Sequence, residues 1–206
     1  MKIAIAGSGR IGAGLGGAWR RAGHDVVFGV RDAADPKHAA TASETGVPVA
    51  PLAEALAGAE VIALATPFGA VTQVAQALPS WAGRIVIDCT NAIGPGPSLT
   101  VGHTDSAAEV NARLLPGARV VKSFTAQGAE NLRQPAYDGV AATNFYCGDD
   151  AEAKAVARGL IEAVGLEPVD LGPLAAARYL EPMTLVWLAA SRAVGSRDIA
   201  FRLLRR

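Results

Sequence analysis

The sequence predicts an α/β fold built on a doubly wound, mainly parallel sheet, on three observations. Short runs rich in Val and Ile alternate with longer Ala-rich stretches of helical period, the pattern of successive βαβ units. The chain has 206 residues, enough for one sizeable core but hardly for two. The first apolar run ends in a Gly-x-Gly-x-x-Gly turn that leads straight into a helix-period stretch.

Composition narrows the function classes. Half of the residues are apolar, 18% are charged and the formal net charge is zero, which describes a folded α/β protein rather than a disordered one. Basic residues are scattered apart from Arg205 and Arg206, so there is no electrostatic footprint for nucleic acid. No apolar run approaches the roughly 18 to 20 residues that span a bilayer. The N-terminal MKIAIAG reads as a first strand rather than a leader, because its apolar run ends after about five residues, and a cytoplasmic location is expected. Cys89 and Cys147 lack a CxxC spacing and read as buried, inert thiols. His24, His38 and His103 form no ligand-like cluster, so no metal site is expected.

In chain order, strands are predicted at Lys2–Ala6, Asp25–Gly29, Val61–Ala65, Arg84–Cys89, Arg119–Lys122, Asn144–Gly148 and Glu167–Leu171, with a weaker one at Val47–Ala50. Helices are predicted at Ile11–Ala22, Pro51–Leu56, Ala70–Leu78, Ser106–Leu115 and Ala151–Val164. Several are opened by an acidic or small polar residue and closed by Gly or Pro; Asp149-Asp150 and Gly165 bracket the last of them. The stretch 92–104, AIGPGPSLTVGHT, has no periodicity and reads as a loop. Beyond Leu171, Pro173–Arg192 is mainly helical, with Leu180, Met183, Leu185, Val186, Trp187 and Leu188 as an apolar face, and a terminal helix is expected over Arg197–Leu204. The predicted organisation is a main domain, 1–172, and a helical appendage, 173–206, too short to be independent. Its apolar face is expected to make a homodimer contact.

The chemistry starts at the glycine turn. Gly7 permits a tight turn, Gly9 allows backbone to approach a ligand without a Cβ, and Gly12 lets helix and strand pack closely, the Rossmann-type arrangement for a dinucleotide pyrophosphate. The helix N-terminus offers unpaired N–H groups and partial positive charge to the phosphates, with Ser8 adding a hydroxyl and Arg10 a charge. The second strand ends in Val30-Arg31-Asp32. A carboxylate at this tip suits the ribose hydroxyls of NAD, and an Arg suits the 2′-phosphate of NADP. Spacing alone leaves both open, and Arg31 favours NADP. Thr66-Pro67 forms a rigid turn at the carboxyl edge of the sheet beside the adenosine half. The later tips, Asp88 to Asn91 and Lys122 to Gly128, face the nicotinamide half, and His103 and Lys122 are the side chains near it that could serve as acid or base.

These blocks together resemble the coenzyme F-420-dependent NADP oxidoreductases and their bacterial relatives, the predicted dinucleotide-binding reductases. The resemblance covers nearly the whole chain. It is carried by AGSGRIG, Gly29-Val30-Arg31, Ala65-Thr66-Pro67, DCTN, Gly102-His103-Thr104 to Glu109, VVKSF with GAENL, Tyr179 to Met183, and Arg197 to Phe201. It implies NADPH as cofactor, with Gly7, Ser8, Gly9, Arg10 and Ile11 on the pyrophosphate, Arg31 on the 2′-phosphate, Thr66 and Pro67 on the adenosine side, and Asn91, Ala92, Thr125 and Ala126 on the nicotinamide side. It also implies direct hydride transfer to a flavin or a deazaflavin such as F-420, or to another small acceptor, without a dedicated catalytic side chain. The chain has Val30 where the family often has Ser, and Thr125 where it often has Asn. Two other readings stand beside this one: a β-hydroxyacid dehydrogenase or imine reductase relative, with Tyr179 and Glu181 as the only polar nominees in the appendage, and a non-catalytic NADPH-sensing module.

Overall fold

The computed structural model describes all 206 residues. Its first strand, β1 (Lys2–Ala6), buries every residue after Lys2, as a strand covered on both faces must. The chain turns through Gly7 into α1 (Arg10–Arg21), whose inward side is built from small residues. A Cβ on Gly16 would lie 2.7 Å from the Phe28 ring, and one on Gly14 would lie 2.8 Å from Leu132. Gly16 therefore sets how closely α1 can approach the sheet, and Gly14 how closely it can approach the 3₁₀ turn Ala129–Leu132. Trp19 fixes the far end of α1 by donating its indole N–H to the Leu160 carbonyl at 3.0 Å.

The chain continues through β2 (Asp25–Val30), α2 (Lys37–Thr45), β3 (Val49–Pro51), α3 (Leu52–Ala57), β4 (Val61–Leu64), α4 (Val71–Ala75), β5 (Ile85–Asp88), α5 (Ala107–Leu114) and β6 (Arg119–Lys122). A small hairpin follows, β7 (Ala136–Tyr137) and β8 (Val140–Ala141), turning at Asp138 and Gly139 with both at positive φ, as a tight two-residue turn requires. Then come β9 (Thr143–Gly148), α6 (Ala151–Val164), β10 (Glu167–Asp170), α7 (Ala177–Leu180) and α8 (Met183–Ala193). Asp150 caps α6 by accepting from the Ala153 amide, and Gly165 closes it in the left-handed conformation, the two ends expected from the sequence.

The main sheet has the order β3-β2-β1-β4-β5-β6-β9-β10. Strands β1 to β6 all pair in parallel, β9 runs antiparallel to β6, and β10 is parallel to β9. This is the Rossmann order, with its switch point between β1 and β4, where a crevice opens beyond the carboxyl ends of the strands. One apolar cluster, around Leu15, Trp19 and Phe28 with Leu160 and Ile161 of α6, covers one face of the sheet. A second, around Leu56, Val74 and Leu115, covers the other and takes in Leu174, Ala177 and Leu180. No helix is long and apolar enough to cross a membrane.

The structure departs from the sequence expectation at four places. Helix α2 was not anticipated: only His38 of its residues is buried, so it carries no apolar stripe to read. The helix expected over Ala70–Leu78 is a 3₁₀ turn, Phe68–Ala70, leading into the short α4, and Trp81 Nε1 takes the Ala75 carbonyl at 2.9 Å where a longer helix would have used it. The terminal helix expected over Arg197–Leu204 is absent. An eight-residue helix is marginal on its own, and here the tail finds better partners along β8 and β9: the Thr143 amide donates to the Phe201 carbonyl at 2.9 Å, the Leu203 amide to Thr143 Oγ1 at 3.0 Å and Arg202 to the Ala141 carbonyl at 2.7 Å. On α8 the inward residues are Thr184, Trp187 and Ser191, which leaves Val186 exposed and Tyr179, on α7, 77% exposed.

Candidate functional site

The crevice at the switch point is a cleft of about 750 Å³ that runs from the glycine turn to the tip of β2. Gly7 adopts φ +111 and sits against the Ala65 carbonyl, where a Cβ would come within 2.6 Å of the oxygen. Gly12 lies over the Gly7 carbonyl, and its Cβ would come within 2.2 Å, so Gly12 shapes the turn from behind. Gly9 faces open space. No side chain caps the N-terminus of α1 and no acidic residue lies in its first turn, which leaves the positive end of the helix facing the cleft.

At the β2 tip the acidic side chains and the Arg are placed differently. Asp32 turns back on its own loop and accepts from the Ala34 amide at 3.0 Å. Asp35 accepts from the Lys37 amide at 3.1 Å and pairs with Lys37 Nζ at 2.5 Å, and the Lys37 ammonium holds its carboxyl below the usual range. Arg31, in contrast, is exposed and forms no ion pair, the one lining cation without a carboxylate. Helix α2 also brings His38 into the lining, with its Nδ1 2.6 Å from Ser8 Oγ. Nothing in the sequence marked His38; only its place in the first turn of an unrecognised helix puts it there.

A second cavity of about 320 Å³ adjoins the first and shares Gly9, Thr66 and Pro67 with it. Arg10, Ile11, Phe68, Cys89, Thr90 and Asn91 also line it. The Asn91 side chain is held from behind: Thr184 Oγ1 donates within reach of Asn91 Oδ1 at 3.2 Å and of the Thr125 carbonyl at 2.9 Å. Thr125 is buried and lies behind this tip, Ala126 is half-buried, and Ala92 is buried with its carbonyl taken by the Thr100 amide at 2.7 Å. Gly12, Ala92, Thr125 and Ala126 therefore support the walls, and the other cofactor-binding residues expected from the sequence line them.

Neither expected acid or base reaches the cleft. His103 is exposed on the 92–104 loop at φ 61. Lys122 is wholly buried, 3.1 Å from Glu181 and 3.6 Å from Asp88, and donates to the Thr90 carbonyl. Burial alone would lower its pKa, but the two carboxylates outweigh burial and raise it, so it stays an ammonium. Glu181 also accepts the Ala107 and Ala108 amides at 2.8 and 3.0 Å, closing the N-terminus of α5. This cluster joins α7, α5 and the Thr90 tip through groups that the sequence scatters. Burial pushes the Cys89 thiol up and the Cys147 thiol up to about 12, which keeps both protonated, as expected.

One further link joins the glycine turn to the C-terminal tail. Glu130 pairs with Arg10 and, at 2.9 Å, with Arg197, whose guanidinium lies 4.7 Å over the Trp187 ring. Gly128 makes room for this: a Cβ there would lie 2.4 Å from Glu130 and 2.6 Å from Trp187.

Comparisons with known proteins agree with this architecture. The family described as NADP oxidoreductase, coenzyme F-420-dependent, matches residues 2–92. The crystal structure of a candidate F-420-dependent NADP reductase from Arthrobacter sp. FB24 superposes with a TM-score of 0.89 and 31% identity, over 100% of both chains. A hypothetical protein from Sinorhizobium meliloti does so with a TM-score of 0.76 and 28% identity, over 100% of this chain and 96% of that one. Rat metalloreductase STEAP3 is 32% identical over 184 residues, 89% of this chain; the chain spans about a third of that protein's length, 36%. With the whole-length match, the glycine turn and the Rossmann strand order in one chain, the protein belongs to the coenzyme F-420-dependent NADP oxidoreductase family.

Proposed function

We propose that this chain binds NADPH along the two adjoining cavities and delivers its hydride to the ring of a flavin or deazaflavin. The observation that carries the reading is the lining of the second cavity. Its only ionisable side chains are Arg10, whose guanidinium pairs with Glu130, and Cys89, whose thiol is pushed up by burial. Reducing a carbonyl or an imine requires a proton donor at the substrate, and none lines this wall. A flavin or deazaflavin ring takes a hydride without an acid from the protein.

The residues fit a phosphorylated dinucleotide. The turn at Gly9 leaves open space where a Cβ would stand, the end of α1 is uncapped, and Arg31 has no competing carboxylate. When bound, the nicotinamide supplies the hydride. The protein's own part is to bind and orient: Gly7, Ser8, Gly9, Arg10 and Ile11 hold the pyrophosphate, Arg31 the 2′-phosphate, Thr66 and Pro67 the adenosine half. Asn91 presents its amide to the nicotinamide half, braced by Thr125 and Thr184, with Ala92 and Ala126 behind. Phe68 and Ile11 give this end an apolar wall that keeps water from the transfer.

The test follows loss of reduced nicotinamide while FMN, riboflavin, F-420, simple ketones and cyclic imines are offered in turn. Turnover is expected with one of the ring acceptors. Turnover with ketones or imines alone sinks the reading, and tight NADPH binding with no turnover at all favours a sensing module. Arg31→Ala is expected to weaken NADPH binding about ten- to a hundredfold, the value of a charge-assisted contact, and to leave NADH binding nearly unchanged. The exposed Tyr179 and Val186 form the face we assign to a second copy; sedimentation velocity at micromolar concentration is expected to show a dimer.

A further inference from the structure

His38 is a buried polar side chain that the hydride step does not employ. It is 8% exposed and lines the larger cavity, and its sole side-chain hydrogen bond joins Nδ1 to Ser8 Oγ at 2.6 Å. Helix α2 is also tied to the glycine turn by Thr41 Oγ1, which reaches the Ser8 carbonyl at 3.5 Å. We propose that His38, through Ser8, is a proton-linked ligand for a phosphate of the cofactor: the pair gains one proton from solvent when phosphate binds and returns it on release. This rests on the reading of the cleft as an NADPH site.

The chemistry lies in the direction of one hydrogen bond. When Nδ1 carries no proton it accepts the Ser8 hydroxyl hydrogen, and Ser8 then shows only lone pairs to the cleft, which repel a phosphate oxygen. When Nδ1 carries a proton it donates to Ser8 Oγ, and in the charged ring it does so while Nε2 keeps its own hydrogen. The hydroxyl hydrogen is thereby free to donate to the phosphate, and the ring adds positive charge to the pocket. No bond between heavy atoms forms or breaks.

The groups around the ring suit this exchange. From β2 and the loop after it come Arg31, Asp32 and Asp35, and from the same turn of α2 comes Lys37. Asp35 is held by Lys37 and Asp32 by the Ala34 amide. The glycine turn brings only the end of α1 and Arg10, which Glu130 holds; α4 brings Gln73, and α3 brings Leu52. A phosphate seated among Arg31, Lys37 and His38 is thus the strongest unpaired anion the ring can meet, and it favours the charged form.

The test is calorimetric titration of the full chain with NADPH and with NADH, between pH 6 and 8, in buffers of different ionisation enthalpy, beside His38→Asn and Ser8→Ala. Both variants are first shown to melt within a few degrees of the parent. The 2′-phosphate of NADPH itself titrates near pH 6, so the quantity read is the proton uptake of the parent minus that of the variant. We expect an excess approaching one proton, about tenfold weaker NADPH binding by His38→Asn at pH 6, and the same loss of excess in Ser8→Ala. An excess with NADPH alone identifies the 2′-phosphate as the group sensed; an equal excess with NADH identifies the pyrophosphate, and either supports the proposal. Equal proton uptake by parent and His38→Asn overturns it. Failure of the parent to bind either nucleotide overturns the cleft assignment itself, a separate result visible before any variant is made.

Discussion

At the end of the cleft that we assign to the adenosine half, Gly7, Ser8, Gly9 and Arg31 lie in or next to the first βαβ unit, and mainly short-range turns set their geometry, with Gly7 also seated against the Ala65 carbonyl. At the other end, Asn91 is held by Thr184, 93 residues further on, and the Thr90 carbonyl is held by Lys122, 32 residues on. The first end follows from a turn motif and the strands flanking it. The second exists only once β5, β6, α5, α7 and α8 have come together. Damage to the first end should therefore show mainly as lost affinity, and damage to the second mainly as lost stability or misplaced chemistry.

The largest effect is expected at Lys122. In Lys122→Met the Asp88 and Glu181 carboxylates, both at most 1% exposed, are left without their cation, and urea unfolding should show a loss of about 3–5 kcal/mol. The pH dependence has a definite sign. Because the folded-state pKa of Lys122 is raised, its stabilisation is complete below the ordinary lysine value of about 10.4 and fades only as pH climbs beyond it. Between about pH 8 and 10 the difference between parent and variant should be flat; a difference that shrinks over that range would mean that the lysine is not held as an ammonium.

Gly12→Ala is the corresponding break at the adenosine end. Its methyl group meets the Gly7 carbonyl, so the turn must shift, at about 1–3 kcal/mol of overpacking. NADPH affinity should fall more than the melting temperature suggests, and unchanged affinity in a folded variant would remove the turn from the site. Thr184→Val is milder. It leaves the Thr125 carbonyl and Asn91 Oδ1 without their hydroxyl, about 1 kcal/mol by unfolding, and should lower turnover more than it raises the NADPH dissociation constant. Equal effects on both would show that the brace serves stability alone. Glu130→Ala should change stability by less than about 1 kcal/mol, since its pairs with Arg10 and Arg197 lie at the surface, and any larger loss would make the link between glycine turn and tail structural.

The main strands were legible because a parallel strand buried on both faces must be apolar throughout, and such runs announce themselves. Lys2–Ala6 has the boundaries expected, and so does Arg119–Lys122 around its apolar centre Val120-Val121. Helix α6 was legible for another local reason, its Asp150 cap and its Gly165 stop. Helix α2 was not, because one buried residue makes no periodic pattern, and with it went His38 and Lys37. The reversed direction of β9 was hidden as well: a run of apolar residues does not say which way it pairs.

What the sequence determined by itself is the glycine turn, the parallel half of the sheet and the dinucleotide site at its edge, because each depends on residues close enough to constrain one another's backbone. The three-dimensional structure decided the state of the β2 tip, where local turns that spacing does not show hold Asp32 and Asp35 and leave Arg31 free. It also decided the fate of Lys122, a plausible base by its position in the chain, which is instead a buried cation between two carboxylates. Charges act through space, and which charges meet is settled only when distant elements pack.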